Sequence, residues 1–202
     1  MLLPFLHPDV IEAGCDEAGR GCLAGSVFAA AVIFAPDYRN DEITDSKKLT
    51  AKQRYRLRET IQRDAISWAV GIVTAHEIDQ INILRASILA MHRALDGLSV
   101  RPEAIIVDGN RFLPYNGLPY KTVVKGDGKY LSIAAASILA KTCRDDYMEK
   151  LHAEFPYYAW DKNKGYPTKA HREAIREHGT SPYHRMTFNL LGTEAPELPF
   201  ED

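Results

Sequence analysis

Gly14-Cys15-Asp16-Glu17-Ala18-Gly19-Arg20-Gly21 follows an apolar run (Val10, Ile11, Ala13) and sets two adjacent carboxylates ahead of two glycines around an arginine. Side chains alternate along a strand, so Asp16 and Glu17 cannot face one side while strand geometry continues. For the two acids to cooperate, the backbone must leave the strand there, and Gly19 and Gly21 permit it. The stretch therefore reads as a strand end followed by a turn with bare amides and one cation. Paired acids suit Mg²⁺ or Mn²⁺, because hard cations take oxygen ligands. Bare amides and an arginine suit a phosphate or a sugar. Taken alone, Asp16-Glu17 also reads as a surface turn with two solvated acids.

Outward from this stretch, Ser26 to Phe34 is a continuous apolar run, predicting an antiparallel neighbour buried on both faces. A polar loop ends in Thr44-Asp45-Ser46-Lys47-Lys48-Leu49, and Thr50 is placed to cap a basic amphipathic helix over 51–63. Ala65 to Val73 predicts a third strand, with Thr74 capping a short helix over 75–79. Arg85 to Leu95 has Ile88, Met91 and Leu95 at helical spacing and Gly97 as a stop, a core stripe. Ala104 to Gly109 predicts a buried strand ending on Asp108, and Lys121 to Val124 another, ending at Lys125-Gly126-Asp127-Gly128. Residues 130–151 form the longest predicted helix, Phe155 to Trp160 an aromatic loop, and Thr168 caps a helix over 169–178.

Length and composition fit one sizeable α/β domain: 202 residues, 46% hydrophobic and 26% charged. Residues 1–190 read as that domain, with 140–190 as a helical C-terminal lobe and 191–202 as a loosely ordered acidic tail. No apolar run approaches the roughly 18 residues that cross a membrane, and the first seven residues do not read as a signal peptide. Cys15, Cys22 and Cys143 lack CxxC spacing and read as free thiols of a reducing cytoplasm. The net charge of -2 hides an uneven distribution. The tail holds four acids and no base, leaving 25 basic against 23 acidic side chains elsewhere. Lys47 to Arg63 and Lys162 to Arg172 are the basic runs, readable either as solvated helix faces or as contacts to a polyanion.

Three predicted strands end on acids: Asp16-Glu17, Asp108 and Asp127. A lone strand-end Asp is usually a turn former, and Asp127 alone could cap the following helix. Together, three strand ends can bring four carboxylates to one sheet edge, where they require raised pKa values or bound cations. Two divalent ions roughly 4 Å apart, bridged by carboxylates, are the usual apparatus for attack of water on a phosphodiester. Lys47 could then neutralise a phosphate, and Tyr166, between Gly165 and Pro167, could stack on a sugar or base. His171 reads as a helix-surface histidine. Cys15 and Cys143 lack a nearby histidine, and Ser137 lies outside a nucleophile elbow, which argues against thiol and serine hydrolases.

The motifs together resemble the bacterial ribonucleases HII. The resemblance runs from about Gly14 to Phe188. It is carried by Asp16-Glu17-Ala18-Gly19-Arg20-Gly21, Asp45-Ser46-Lys47-Lys48-Leu49, Ile106-Val107-Asp108-Gly109-Asn110 and Val124-Lys125-Gly126-Asp127. Further along come Ala135-Ala136-Ser137-Ile138-Leu139-Ala140-Lys141, Lys164-Gly165-Tyr166-Pro167-Thr168 and His184-Arg185-Met186-Thr187-Phe188. Arg20 and the short N-terminus favour HII over the sister ribonuclease HIII. Cys22 and Ser26 stand where family members often have proline.

The resemblance implies an RNase H-like fold, a central mixed five-stranded sheet flanked by helices with a C-terminal helical extension. It implies a monomeric, cytoplasmic endonuclease using Mg²⁺ or Mn²⁺ in a two-metal site. The substrates are RNA–DNA hybrids and single ribonucleotides in duplex DNA, cut 5′ of the ribonucleotide to leave 3′-hydroxyl and 5′-phosphate ends. Asp16, Glu17, Asp108 and Asp127 become the metal-binding catalytic carboxylates. Gly19, Arg20 and Gly21 meet the 2′-hydroxyl and adjoining phosphates, Tyr166 stacks near the sugar, and Lys47 meets a phosphate. The tail shows no clear clamp-binding motif, which argues against a sliding-clamp partner. The rivals are another nuclease or strand transferase on the same fold and a catalytically silent hybrid-binding protein.

Overall fold

The structure is a computed structural model that describes residues 2–192; the acidic tail from 193 onward lies outside the described residues. β2 (Val27–Ile33) is buried along its whole length, as its unbroken apolar run requires. It pairs antiparallel with β1 (Glu12–Ala18) on one side and with β3 (Ser67–Val73) on the other. β1 pairs in parallel with β4 (Ala104–Asp108), and β4 in parallel with β5 (Tyr120–Val123). The result is the mixed five-stranded sheet expected from the sequence, in the order β3-β2-β1-β4-β5.

Among the described residues six α-helices accompany it: α1 (Ala51–Asp64), α2 (Ala75–Ile81), α3 (Ile83–Asp96), α4 (Leu131–Glu154), α5 (Trp160–Asn163) and α6 (Lys169–His178). Thr50, Thr74 and Thr168 cap α1, α2 and α6, and Gln53 and Glu77 return the bond to the first two. Such caps contribute about 1 kcal/mol each. Among the described residues, no helix is long and apolar enough to cross a membrane.

The period of two sorts the strands onto two faces. Ala13, Cys15, Val27, Ala29, Ala31 and Ile33 pack with Ala86, Ala90, Met91 and Ala94 of α3. Ala30 and Val32 pack with Leu131, Ala134, Ile138 and Leu139 of α4, together with Leu57 and Ile61 of α1. Small residues let the helices come very close. A methyl group at Gly14 would stand 2.5 Å from the backbone carbon of Ser132 and 2.6 Å from the nitrogen of Ile133. A third apolar cluster joins Leu23 and Ala24 to Met148, Leu151, Tyr158, Trp160, Ala174 and Ile175.

Three local readings change. β1 does not end at its acid pair: Glu17 and Ala18 still pair with Ala29 and Phe28. β4 pairs with β1 only as far as Val107 opposite Cys15, so Asp16 and Glu17 lie where β1 has lost one neighbour and need not leave strand geometry to be reached. The aromatic stretch is a 3₁₀ turn over Pro156–Tyr158 leading into α5, because Tyr158 and Trp160 are core residues stacked 4.8 Å apart. Asp127 does not cap α4, whose N-cap is Tyr130 without a side-chain bond.

Replacing Gly14 by Ala should cost about 2–3 kcal/mol, the usual penalty of overpacking against groups that cannot move. Gly128→Ala, which would meet nothing within 4 Å, serves as the control. Urea denaturation of both variants checks this; equal midpoints would refute the close β1–α4 contact.

Candidate active site

The parallel register builds the site. Cys15 and Val107 are partners on the α3 face, so the next residues, Asp16 and Asp108, both turn to the α4 face. They stand at the rim of a cleft of about 310 Å³ that also receives Glu17, Gly19, Arg20, Gly21, Lys47 and Tyr166. Asp127 is not in its lining. It lies beside it on the Gly126–Gly128 turn, 4% exposed, with Oδ2 accepting from Lys47 Nζ at 3.1 Å. The sequence-derived residues therefore gather at one sheet edge, with Lys47 on an acid rather than standing alone.

Each carboxylate has its own partner. Asp16 Oδ1 accepts from the Glu17 N–H at 2.7 Å, and the Ser137 hydroxyl lines the same cleft. Glu17 accepts from Arg20 Nη1 at 3.2 Å. Asp108 Oδ1 accepts from the Gly126 N–H at 2.6 Å, tying the end of β4 to the turn that carries Asp127. Lys47 is fixed in turn by the Asp45 carboxylate, which caps the Ser46–Lys48 turn.

Burial, with the neighbouring charges of Glu17 and Asp108, drives the Asp16 carboxyl well above the usual carboxylate range. Burial also raises Glu17, which the Arg20 charge partly counters. Asp108 is raised by burial and by the Asp127 charge, against the bond from Gly126. Lys47 is raised by its bond to Asp127. The edge is a cluster of like charges that gains stability from added positive charge.

The donor set is all carboxylate oxygen, which suits a hard divalent cation. Among the described residues, no three His, Cys, Asp or Glu side chains stand together at ligand spacing in this conformation. Arg20 and Lys47 hold Glu17 and Asp127 instead. The residues fit such an ion chemically, once those two side chains swing off their cations.

Four polar cleft residues of α4 were given no site role from the sequence: Ser137, Lys141, Arg144 and Asp145. They stand at i, i+4, i+7 and i+8, a polar stripe inside an Ala-, Ile- and Leu-rich helix, and that stripe was the available signal. Tyr166 stays 43% exposed on a turn where Lys164 and Gly165 both have positive φ. His171 is not a surface histidine. It is fully buried, donates from Nδ1 to the Tyr166 carbonyl at 2.9 Å, and meets Trp160 Nε1 and His184 Nε2. The basic face of α1 is also partly committed, since Arg54 donates to the Ser46 and Leu49 carbonyls and Arg58 pairs with Asp146.

A sequence model described as Ribonuclease HII matches residues 13–191. The chain belongs to the ribonuclease HII family. It is 69% identical over 201 residues to the ribonuclease HII of Phocaeicola vulgatus, covering 99% of this chain and 100% of that one. The ribonuclease H2 of Pyrococcus horikoshii superposes with a TM-score of 0.76 at 27% identity, over 89% of this chain and 94% of the other. The ribonuclease HII of Archaeoglobus fulgidus, solved in a complex with PCNA, gives 0.75 at 26% identity, over 92% and 98%. The fold is therefore RNase H-like, and the protein is an RNase H enzyme, an endonuclease of RNA–DNA hybrids.

A carboxyl whose pKa is raised on folding binds its proton more tightly in the native state, so stability is lost as pH rises through that range. Asp108→Asn keeps an acceptor for the Gly126 N–H and removes the charge. At pH 7 in EDTA the variant should melt about 2–4 °C higher, the shift for ~1 kcal/mol in a chain of this size. The gain should vanish near pH 3, where the carboxyl is protonated in both states. Calorimetry at the two pH values checks both; a lower melting point at pH 7 would refute stored repulsion.

Proposed function

We propose that this chain cuts RNA–DNA hybrids and single ribonucleotides embedded in duplex DNA on the 5′ side of the ribonucleotide, leaving 3′-hydroxyl and 5′-phosphate ends. One observation carries the reading: three carboxylates share a cleft with the Gly19–Gly21 turn and Tyr166, and a fourth joins them through Lys47. The carboxylates suit the chemistry of a phosphodiester, and the turn and ring suit a 2′-hydroxyl, the group that separates RNA from DNA.

Asp16, Glu17, Asp108 and Asp127 would hold Mg²⁺ or Mn²⁺. When bound, two such ions supply an activated water and neutralise charge on the phosphate and leaving oxygen. The protein's part is positioning. Asp16 and Asp108 are fixed by strand register, and Asp108 is further tied to Gly126. In holding the ions, Glu17 and Asp127 would give up Arg20 and Lys47, and both cations would then be available to flanking phosphates. Tyr166 offers its exposed ring to the sugar. The proposal describes a cytoplasmic monomer and requires nucleic acid as its one partner. A clamp like that of the Archaeoglobus fulgidus complex is not needed for it.

The test is incubation with Mg²⁺ or Mn²⁺ on duplexes carrying no, one or four ribonucleotides. Cleavage of the second and third at the 5′ side, and none of the first, is expected. Asp16→Asn and Asp127→Asn should nearly abolish turnover while leaving binding. Tyr166→Ala should slow cutting at a single ribonucleotide by about ten- to a hundredfold, the worth of one stacking contact. Normal turnover by Asp16→Asn would sink the metal-dependent reading and favour a different active centre; binding without cleavage by the unaltered protein would favour the silent binder.

A further inference from the structure

Two arginines are buried almost completely, Arg144 at 2% and Arg185 at 0% exposure. Among the described residues neither pairs with a carboxylate within salt-bridge distance; they face main-chain carbonyls instead. Arg185 donates to Gly19 at 2.7 Å, to Arg20 at 2.9 Å and to Gly25 at 2.8 and 3.0 Å. Arg144 donates to Ala24 and Ser26, both at 3.1 Å, and to Lys164 at 2.8 Å. A buried charge without a counter-charge is expensive, so it must be answered by dipoles, and here the dipoles all belong to two loops.

Those loops are the Gly19–Ser26 segment and the turn that carries Tyr166. They also bond to each other, Leu23 N–H to the Gly165 carbonyl at 2.8 Å. With carbonyls drawn down onto the guanidiniums, the opposite ends of the peptide units are turned away. Among the described residues, the N–H groups of Arg20 and Gly21 find no protein acceptor, and both residues line the cleft. Gly19 has φ of 97°, and a methyl group there would lie 2.6 Å from Arg144 Cδ, so the loop can rest on this arginine only as glycine.

We propose that Arg144 and Arg185 are positioning residues for substrate discrimination. They hold the Gly19–Gly21 turn and the Tyr166 turn at one fixed separation, with free amides aimed at a ribonucleotide and its adjoining phosphate. Their two charges, screened from water under the loop, add to the attraction of those amides for a phosphodiester. The inference rests on the reading of Gly19–Gly21 and Tyr166 given above.

The first measurement needs no variant: backbone ¹⁵N order parameters of the full chain without substrate. Residues 19–22 and 166 should be as rigid as the strands, with S² of about 0.85; values below about 0.6 overturn the proposal whatever the enzyme cuts. The second uses Arg144→Lys and Arg185→Lys, which keep the charge and lose the fork, assayed well below their melting temperatures. kcat/KM on a single-ribonucleotide duplex should fall about a hundredfold, as misplacement near 1 Å does. A four-ribonucleotide duplex, which offers several registers, should lose about tenfold less. Combining Arg144→Lys with Tyr166→Ala should cost less than the sum of the two, because both act through one contact. Folded variants that keep the ratio between the two substrates overturn the proposal and leave the nuclease reading intact. If the unaltered protein cleaves neither duplex, the nuclease reading fails, and the order parameters still decide whether the arginines hold the two turns rigid.

Discussion

α4 lies against β1 so closely that only a glycine fits at position 14. Much of the site follows from that contact. With the helix axis fixed over the strand, the residues that face the end of β1 are set by helical periodicity, and they are Ser137, Lys141, Arg144 and Asp145. Ser137 lines the cleft with Asp16 and lies 3.1 Å from Ser46, so one hydroxyl ties α4 to the loop carrying Lys47. Two turns further along, the same helix face delivers Arg144 beneath the glycine turn. A shift of α4 by even one ångström would therefore move the metal-binding edge and the substrate-binding turn together.

The acid edge is built against its own electrostatics. Strand register sets Asp16 and Asp108 side by side one residue beyond the last β1–β4 pair, with Asp16 paired to Ala30 of β2 and Asp108 to Val123 of β5. Arg20 and Lys47 soften the repulsion from the outside, since both are largely exposed and move at little cost. Each pair joins an exposed cation to a mostly buried carboxylate, so the cation can be exchanged for another positive charge but not simply removed. The clustered acids thus cost stability in return for affinity, the pattern expected where perturbed carboxylates serve chemistry.

How much of this could be read from residues depends on how local the cause is. β2 was legible because its seven apolar residues leave no polar face, and the threonine caps were legible because a cap needs only the next three residues. The convergence of the four acids was legible as a set, although only Asp108 ends its strand: β1 runs on to Ala18, and Asp127 sits on the Gly126–Gly128 turn after β5. The extension of β1 to Ala18 was not, because it depends on where β4 stops on the other side of a crossover. Asn82 caps α3 from a positive φ of 66°, a conformation the local sequence does not announce. The partners of Arg144 and Arg185 left no pattern. They are carbonyls, which carry no residue identity, and all but Lys164 lie about 120 to 165 positions away in the chain. The basic run before Arg63 misled in the same way, since Arg54 and Arg58 are held within the fold.

The histidine pair shows why the chain keeps further charge away from this lobe. Ser181 N–H donates to His184 Nδ1 at 2.9 Å, so the neutral His184 carries its proton on Nε2 and offers it to His171 Nε2 at 3.2 Å. Trp160 Nε1 donates to the same His171 nitrogen at 3.0 Å, which leaves the His171 proton on Nδ1, directed at the Tyr166 carbonyl. With both rings neutral the one lone pair of His171 Nε2 is shared between the Trp160 and His184 donors, and protonating either ring would remove an acceptor from the line. Burial enforces that state, lowering His171 and bringing His184 down to about 4, where the charge of its partner would add to the cost. A base whose pKa falls on folding contributes stability that is complete above the unfolded value of ~6.5 and is lost as pH drops towards the folded one. Near neutrality both rings are therefore uncharged, and the Tyr166 turn takes its support from a neutral donor on one side and the Arg144 cation on the other.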